Sequence, residues 1–518
     1  LSISNGKPDL NILLEKIIKE LRILEIGISF LKNTYENIKF FLIAGVFDKP
    51  ARSSVLCHTS SNGFYGCIKC LQIGVRITKE KTGGTVHVYP FDSKYPDGPQ
   101  RTVENYNEHL DECLTTSKKT FGIAKKSLLS NLKYFNPLLN TCIDTMHSIF
   151  LGVTKNFFKY WFSNPISNNY SLRKKIGIID ERLLKIKPPS FICSAPRSVT
   201  KWHKWRAHEF MNFILHFSLI VFSNVMEFKY YQNLKLFVIS LEHLYAPSIN
   251  KNDLDIIQRL LRLFVSQLSK LYDDFIMLSG VHELLHLVDC TLDFGPLNNI
   301  NCFQFEEVNR KVMRLVNGKN LMGDEFVKIF NITQKMVNTL DTVPEDDIFY
   351  KFLNSTPIIK SSNYKKMKSL EGARFNKKFF FAKNEHICQL ILDDFGIITE
   401  NLKIFSYLKF NGILYTDQFY QSKFGNFAIY DFERLRYGLI TALIEVDTRV
   451  FLYIQEIIPL YRPYFFESED YIKSDLQICS VSNNYFVTKI ESVNKILFAQ
   501  VSETMIFISK FKTNHIFN

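Results

Sequence analysis

Between residues 102 and 340, apolar residues recur almost throughout at helical spacing, and this constrains the fold more than any other feature of the chain. The clearest segment is Asp253–Leu278. There Leu254, Ile257, Leu260, Leu261, Phe264, Leu268 and Leu271 form one stripe, the mark of an amphipathic helix pressed onto a core. The same reading predicts helices over 102–117, 138–163, 171–185, 204–226, 230–246, 252–279, 281–292, 303–317 and 323–340. Pro8–Leu24 adds another, on Leu10, Leu13, Leu14, Ile17, Ile18 and Leu21. The most apolar stretch, Phe210–Met226, is interrupted by Asn212, His216, Ser218 and Asn224, so it reads as a buried core helix and not a membrane span.

The flanks are written differently. Ile38–Phe47 is a short continuous apolar run that suits a buried strand, and Asp48-Lys49-Pro50 ends it. Asp48 thus stands at the C-terminal edge of a predicted sheet, where ligand-binding groups gather in α/β folds. Residues 57–100 are loop-like. Residues 342–366 read as a linker, and the cations Lys365, Lys366 and Lys368 within and just after it as solvated. Beyond it, the runs FFFAKN, HICQLILDD, FGIITE, KFNGILYT, LITALIEVD, RVFLYIQEI and ILFAQVS predict a small β-rich C-terminal domain. The expected segments are therefore 1–56, 57–100, 101–280, 281–341, 342–366 and 367–518. At 518 residues the chain exceeds one ordinary core.

Lys and Arg outnumber Asp and Glu by 64 to 51, a net charge of +13, which favours a polyanionic partner: nucleic acid first, a membrane surface second. Ten cysteines with a single CxxC pair, Cys67 and Cys70, suit a reduced, intracellular protein with one metal site. That pair is half a tetrahedral zinc site. His282-Glu283-Leu284-Leu285-His286 puts two histidines at i, i+4, on one helix face. Two readings compete. HELLH is literally HExxH, a zinc protease motif with Glu283 as general base and Glu306 as a further ligand. Alternatively Cys67, Cys70, His282 and His286 share one structural zinc, while Asp48 and Glu306 bind Mg²⁺ or Mn²⁺ for phosphodiester chemistry. Asp144 and His147, at i, i+3 on a predicted helix, are a candidate additional site. Pro196–Arg206, PRSVTKWHKWR, interleaves Arg197, Lys201, Lys204 and Arg206 with Trp202 and Trp205, a pattern able to neutralise phosphates and stack on bases.

Several ordered blocks carry a family resemblance. Asp48-Lys49-Pro50-Ala51-Arg52 and Asn62-Gly63-Phe64-Tyr65-Gly66-Cys67-Ile68-Lys69-Cys70 resemble the DxxAR and NGxYGCxxC block of CACTA (En/Spm-like) transposases. Asp144-Thr145-Met146-His147 with Leu151-Gly152-Val153, Arg182-Leu183-Leu184 with Lys187-Pro188-Pro189, and Pro196-Arg197-Ser198 follow in the family's order. So do His282–Asp289, Phe294-Gly295-Pro296-Leu297, and Phe305-Glu306 with Asn309; Gly6-Lys7-Pro8-Asp9 also resembles a family segment. The similarity spans about residues 6–320, and the layout is also similar to Transib and V(D)J recombinase catalytic cores.

The resemblance implies an α/β plus mostly α fold: a partial RNase H-like catalytic core interrupted by a large helical insertion, with the β-rich domain behind it. It implies a DDE enzyme for DNA cleavage and strand transfer, with Asp48 as second acid and Glu306, preferred over Glu307, as third. It further implies Mg²⁺ or Mn²⁺ for catalysis, one structural Zn²⁺, DNA ends and target DNA as partners, a homo-oligomer when active and a nuclear location. Arg52 joins Arg197, Lys201, Trp202, Lys204, Trp205 and Arg206 in the DNA-contacting set. The family's first Asp precedes the Gly-Lys-Pro-Asp segment, so on this resemblance the chain begins too late to contain it; Asp9 matches another position. A descendant that binds DNA without cutting it is the alternative, and the HExxH protease a third.

Overall fold

The structure is a computed structural model. It describes residues 10–28, 37–80, 83–190, 192, 194–314, 322–344, 347–348, 350, 373–375, 379–411, 413–461, 464–467, 470–474, 476–495, 497–500 and 505–509. The fold is mixed α/β, about 48% helical and 20% strand, with a C-terminal sheet. Of the linker expected at 342–366, only 342–344, 347–348 and 350 are described. Gly6–Asp9 and Lys365–Lys368 lie outside the described residues.

Asp48 and Asp144 follow two very short parallel strands. β1, Gly45–Phe47, pairs in parallel with the strand Thr141–Ile143, in the register Gly45↔Thr141, Val46↔Cys142 and Phe47↔Ile143. The apolar run 38–47 is thus a strand only over its last three residues, because only they face a partner strand. The helix expected over 138–163 begins instead with the strand Thr141–Ile143. All three of its residues are buried, and so short an apolar run has no period by which to tell strand from helix. After it, Met146–Thr154 is π-helical and Lys155–Phe162 α-helical. Between the two strands, the loop expected over 57–100 holds a hairpin, β2 (Val75–Thr78) with β3 (Thr85–Val88); Thr141–Ile143 is β4.

Most helices follow the periodicity; the one expected over 252–279 ends at Leu271, and the helix Lys49–Val55 was not among those expected. In chain order they are α1 (Leu10–Ile26), α2 (Lys49–Val55), α3 (Val103–Thr116), α4 (Lys155–Phe162), α5 (Ile176–Lys185), α6 (Ala207–Asn212), α7 (Ser218–Phe222), α8 (Phe228–Leu244), α9 (Lys251–Leu271), α10 (Ser279–Glu283), α11 (Leu287–Phe294), α12 (Phe303–Arg314) and α13 (Met322–Thr342). A π-helical turn, Phe213–Phe217, joins α6 to α7, and all the apolar residues of Phe210–Met226 are buried, as a core segment requires. On α9 the buried face is Leu254, Ile257, Leu260, Leu261, Phe264, Val265 and Leu268. Burial of such side chains contributes roughly 1.5–3 kcal/mol each, an upper estimate. Phe264 stacks on Phe237 of α8 with ring centroids 4.8 Å apart. Among the described residues, no helix is long and apolar enough to cross a membrane.

The C-terminal sheet is antiparallel, in the order 493–495, 428–431, 436–446, 449–461, 476–489, 505–509, 497–500, with 379–382 and 402–405 attached through 436–446. HICQLILDD is not a strand but the helix Glu385–Phe395: Asn384 caps it by accepting from the Ile387 amide, Gly396 ends it at φ +67°, and Ile387 and Ile391, four apart, fill the core. FGIITE forms no strand after Phe395. The strand Leu476–Lys489 was not foreseen, because its Ser and Asn residues look loop-like; pairing along Arg449–Tyr461 makes it extended. This part docks on the helical body. Ile472, Leu476 and Ile478 enter the helical core, and Ser474 Oγ donates to buried Glu242 at 2.8 Å.

Candidate metal centre and acid cluster

Cys67 and Cys70 lie in the loop after α2, and His282 and His286 lie on α10 and on the 3₁₀ turn Leu284–His286 that follows. All four are buried, and one ligand atom from each lies within 4.8 Å of the others. His282 Nε2 is 3.1 Å from Cys70 Sγ and 3.3 Å from His286 Nε2. Zinc bonds of about 2.0–2.3 Å in a tetrahedron put neighbouring ligand atoms roughly 3.3–3.8 Å apart. The spacing and the donor set, two thiols and two imidazoles, therefore suit a metal such as zinc. A four-ligand set of this type is closed, as structural sites are.

The charges suit it too. Burial pushes the Cys67 thiol up, but a hydrogen bond from Cys70 and the charges of His286 and His282 outweigh it, and Cys67 is held well below the ordinary thiol range. Cys70, donating to that thiolate, is pushed up. Burial favours neutral His286, yet the Cys67 charge raises its pKa. A metal bound there would be held by thiolate sulfurs and neutral imidazoles, so its binding would release protons.

The support around it follows from local sequence. Buried Arg101 donates Nη2 to the carbonyls of Cys67 (3.2 Å), Cys70 (3.2 Å) and Phe121 (3.1 Å), fixing the CxxC turn with a cation beside two sulfurs. The Tyr89 ring stacks on His282 with centroids 4.9 Å apart, and its amide donates to Met277 just before α10. Gly98 has φ +78°, and a Cβ there would lie 2.5 Å from Cys70 Sγ, so no side chain fits.

Glu283 does not face an open metal site. Its carboxylate pairs with Arg52 and with Lys49 Nζ at 3.2 Å and accepts from Ser148 Oγ. Burial pushes its pKa up, but the charges of Arg52 and Lys49 prevail and bring it to about 2. A carboxylate held ionised by two cations, beside a closed four-ligand set, is not a poised general base. Arg52, expected on DNA, is buried and serves this ion pair, because burying a guanidinium demands a carboxylate partner.

The acids gather at the strand ends. Asp48 follows β1 and caps α2, accepting the Ala51 amide on Oδ1 at 2.7 Å, with Pro50 in the first helical turn. Asp144 follows β4 in the neighbouring register. Its Oδ1 accepts from the amides of Met146 (3.1 Å) and Cys302 (2.9 Å), and its Oδ2 from the amide of His147 (3.2 Å) and from His147 Nδ1 (2.6 Å). The Cys302 bond pins the start of α12 beside β4, and Glu306 is exposed in that helix's first turn. Glu307 is taken up by Arg310, whose Nε donates to it at 2.6 Å.

The hydrogen bond to Asp144 raises the His147 pKa against the effect of burial, and the charges of Asp48 and Glu306 add to it. Burial, with the Asp144, Asp48 and Glu306 charges, pushes the Cys302 thiol up to about 12. Asp144, His147 and Cys302 form a second group with ligand atoms within 4.8 Å of one another. Sequence reasoning missed Cys302, Ser148 and Arg101. One signal was available for the paired strand ends: GVF-Asp and TCI-Asp are both three-residue runs closed by an acid.

The cationic–aromatic segment divides. Trp205 is buried against Phe158, Phe210 and Phe213, with centroids 5.1–5.7 Å away, so its ring is a core side chain with no face for a base. Trp202 is half-buried beside Phe158. Arg197 forks onto Glu209 and donates to the Lys204 carbonyl at 3.0 Å. Lys201, Lys204 and Arg206 are exposed. The chain matches no family model and no curated protein.

Proposed function

We propose that the chain performs metal-dependent phosphodiester chemistry on DNA, cleavage and strand transfer as in CACTA-type transposases, on an RNase H-like core. The observation that carries this reading is the convergence of acids: Asp48 and Asp144 end adjacent parallel strands, and the helix of Glu306 starts from an amide bonded to Asp144. Asp48 and Glu306 would hold Mg²⁺ or Mn²⁺, hard cations that suit carboxylate oxygens. Bound there, the ions supply stabilisation of charge on the attacking and leaving oxygens. Asp144 has a different task. Its oxygens are occupied by three amides and His147, so it holds a proton on His147 Nδ1 and orients the ring. Lys201, Lys204 and Arg206 supply cations for DNA phosphates, in line with a net charge of +13. The same reading makes the active form a homo-oligomer in the nucleus.

The protease reading loses its base, since Glu283 is bound by Arg52, Lys49 and Ser148. The test is nicking and strand transfer on DNA bearing element ends in Mn²⁺. Wild type should act, and Asp48→Asn and Glu306→Gln should each lose about 100-fold or more. Wild type that binds DNA but neither nicks it nor takes up Mn²⁺ overturns the enzyme reading and leaves the non-cutting descendant.

A further inference from the structure

Glu283 lies between two sites that are distant in sequence. It follows the metal-set residue His282, yet among the described residues its carboxylate pairs with Lys49, Arg52 and Ser148, which follow the acids in the chain. Lys49 directly follows Asp48, and Arg52 is one helical turn further on. Ser148 sits four residues after Asp144, and its amide donates to the Asp144 carbonyl at 3.0 Å. Lys49 Nζ also donates to Ser279 Oγ, at the first residue of α10, at 2.9 Å. The backbones are in close approach here: a Cβ on Gly280 would lie 3.1 Å from the Ser148 carbonyl oxygen. Three elements, α2, the π-helical segment Met146–Thr154 and α10, therefore meet on one buried carboxylate.

We propose that Glu283 is a positioning residue that couples the Cys/His centre to the acid cluster. The metal centre fixes α10; Glu283 on α10 fixes Lys49, Arg52 and Ser148; these fix the backbone that presents Asp48 and Asp144. Charge gives the carboxylate a second task. Without it, Arg52 would be a buried cation lacking its carboxylate counterion, so the elements it ties together would have to rearrange. The coupling is reciprocal, so a cation on the acids should strengthen retention of the metal on the Cys/His centre by the same factor.

The test uses the zinc-loaded full chain. Mn²⁺ affinity is measured by electron paramagnetic resonance, and amide exchange is followed at Ala51 and Cys302, the donors to Asp48 and Asp144. Glu283→Gln should keep its zinc, lose protection at both amides and bind Mn²⁺ at least about tenfold more weakly, within the usual range for coupled sites. Glu283→Asp should recover part of both. Glu242→Gln, at another buried carboxylate, should move neither. If Glu283→Gln does not fold, Ser148→Ala and Lys49→Met test the same knot one arm at a time. Unchanged protection and Mn²⁺ affinity in a zinc-loaded variant of any of these arms overturns the coupling. The Mn²⁺ readout rests on the proposed function. If wild type, or wild type compared with Asp48→Asn, shows no Mn²⁺ site, that reading fails and amide protection alone decides the coupling.

Discussion

Replacing Cys70 by serine removes one ligand of the buried centre with little change in volume. Cys70 and His282 meet 212 positions apart in the chain. A site assembled from such distant residues exists only in the folded chain, so the metal's binding free energy adds to stability, and apparent structural zinc affinities are about 10–16 kcal/mol. Against a net stability of roughly 5–15 kcal/mol it is a large fraction. The tryptophans, Trp161, Trp202 and Trp205, all lie in the helical body, so their fluorescence follows that body and not the C-terminal sheet. Cys70→Ser should fall well below one zinc per chain by elemental analysis. Its guanidinium midpoint, read by tryptophan fluorescence, should drop by about 1 M or more. The His282→Ala/His286→Ala pair should lose the same ion. A serine variant that keeps a full zinc with an unmoved midpoint refutes the shared site. If only the histidine variant loses metal, the two halves do not hold one ion.

Trp205→Ala should cost about 3–5 kcal/mol in urea unfolding, because the ring is packed among phenylalanines; a loss of DNA affinity at unchanged stability would contradict the core role. His147 should titrate above its ordinary value by imidazole proton NMR, since Asp144 favours the charged form. The dyad's contribution to stability is then present below about pH 6.5 and lost as pH rises through the raised value; a wild-type titration no higher than that of Asp144→Asn sinks the dyad. Glu283 has the opposite sign. Its folded pKa lies near 2, below the unfolded value of 4.5, so its contribution is present above about pH 4.5 and lost as pH falls toward 2. The stability gap between wild type and Glu283→Gln should therefore shrink by about 3 kcal/mol across that window, and a constant gap would show that the ion pair does not shift this carboxylate.

Much of the helical body was legible because burial on one face imposes a period, and α9 shows it: every stripe residue from Leu254 to Leu268 is buried. Strands were less legible. Thr141–Ile143 has no period to show, and Leu476–Lys489 is polar enough to look like a loop until Arg449–Tyr461 pairs with it. HICQLILDD misled in the other direction: its β-branched and leucine-rich composition suggests a strand, while the Asn384 cap and Gly396 stop, read together, mark a helix. At the site, residue type was informative and orientation was not. Cysteine and histidine pairs announce a metal through their chemistry. Arg52 and Trp205 look like DNA contacts from charge and aromaticity, yet burial turns one to Glu283 and the other into the core.

The sequence by itself determined the helical periodicity and two half-sites with complementary metal-ligand chemistry, since both depend on neighbours within a few residues. Only the tertiary structure decided that Cys67 and Cys70 meet His282 and His286, that Asp144 ends the strand beside Asp48, and that Glu283 binds α2 instead of serving a metal. The physical reason is range. A hydrogen-bonded turn is set by local dihedral preferences, whereas these contacts exist only after a common core has brought together segments as far apart in the chain as Lys49 and Glu283.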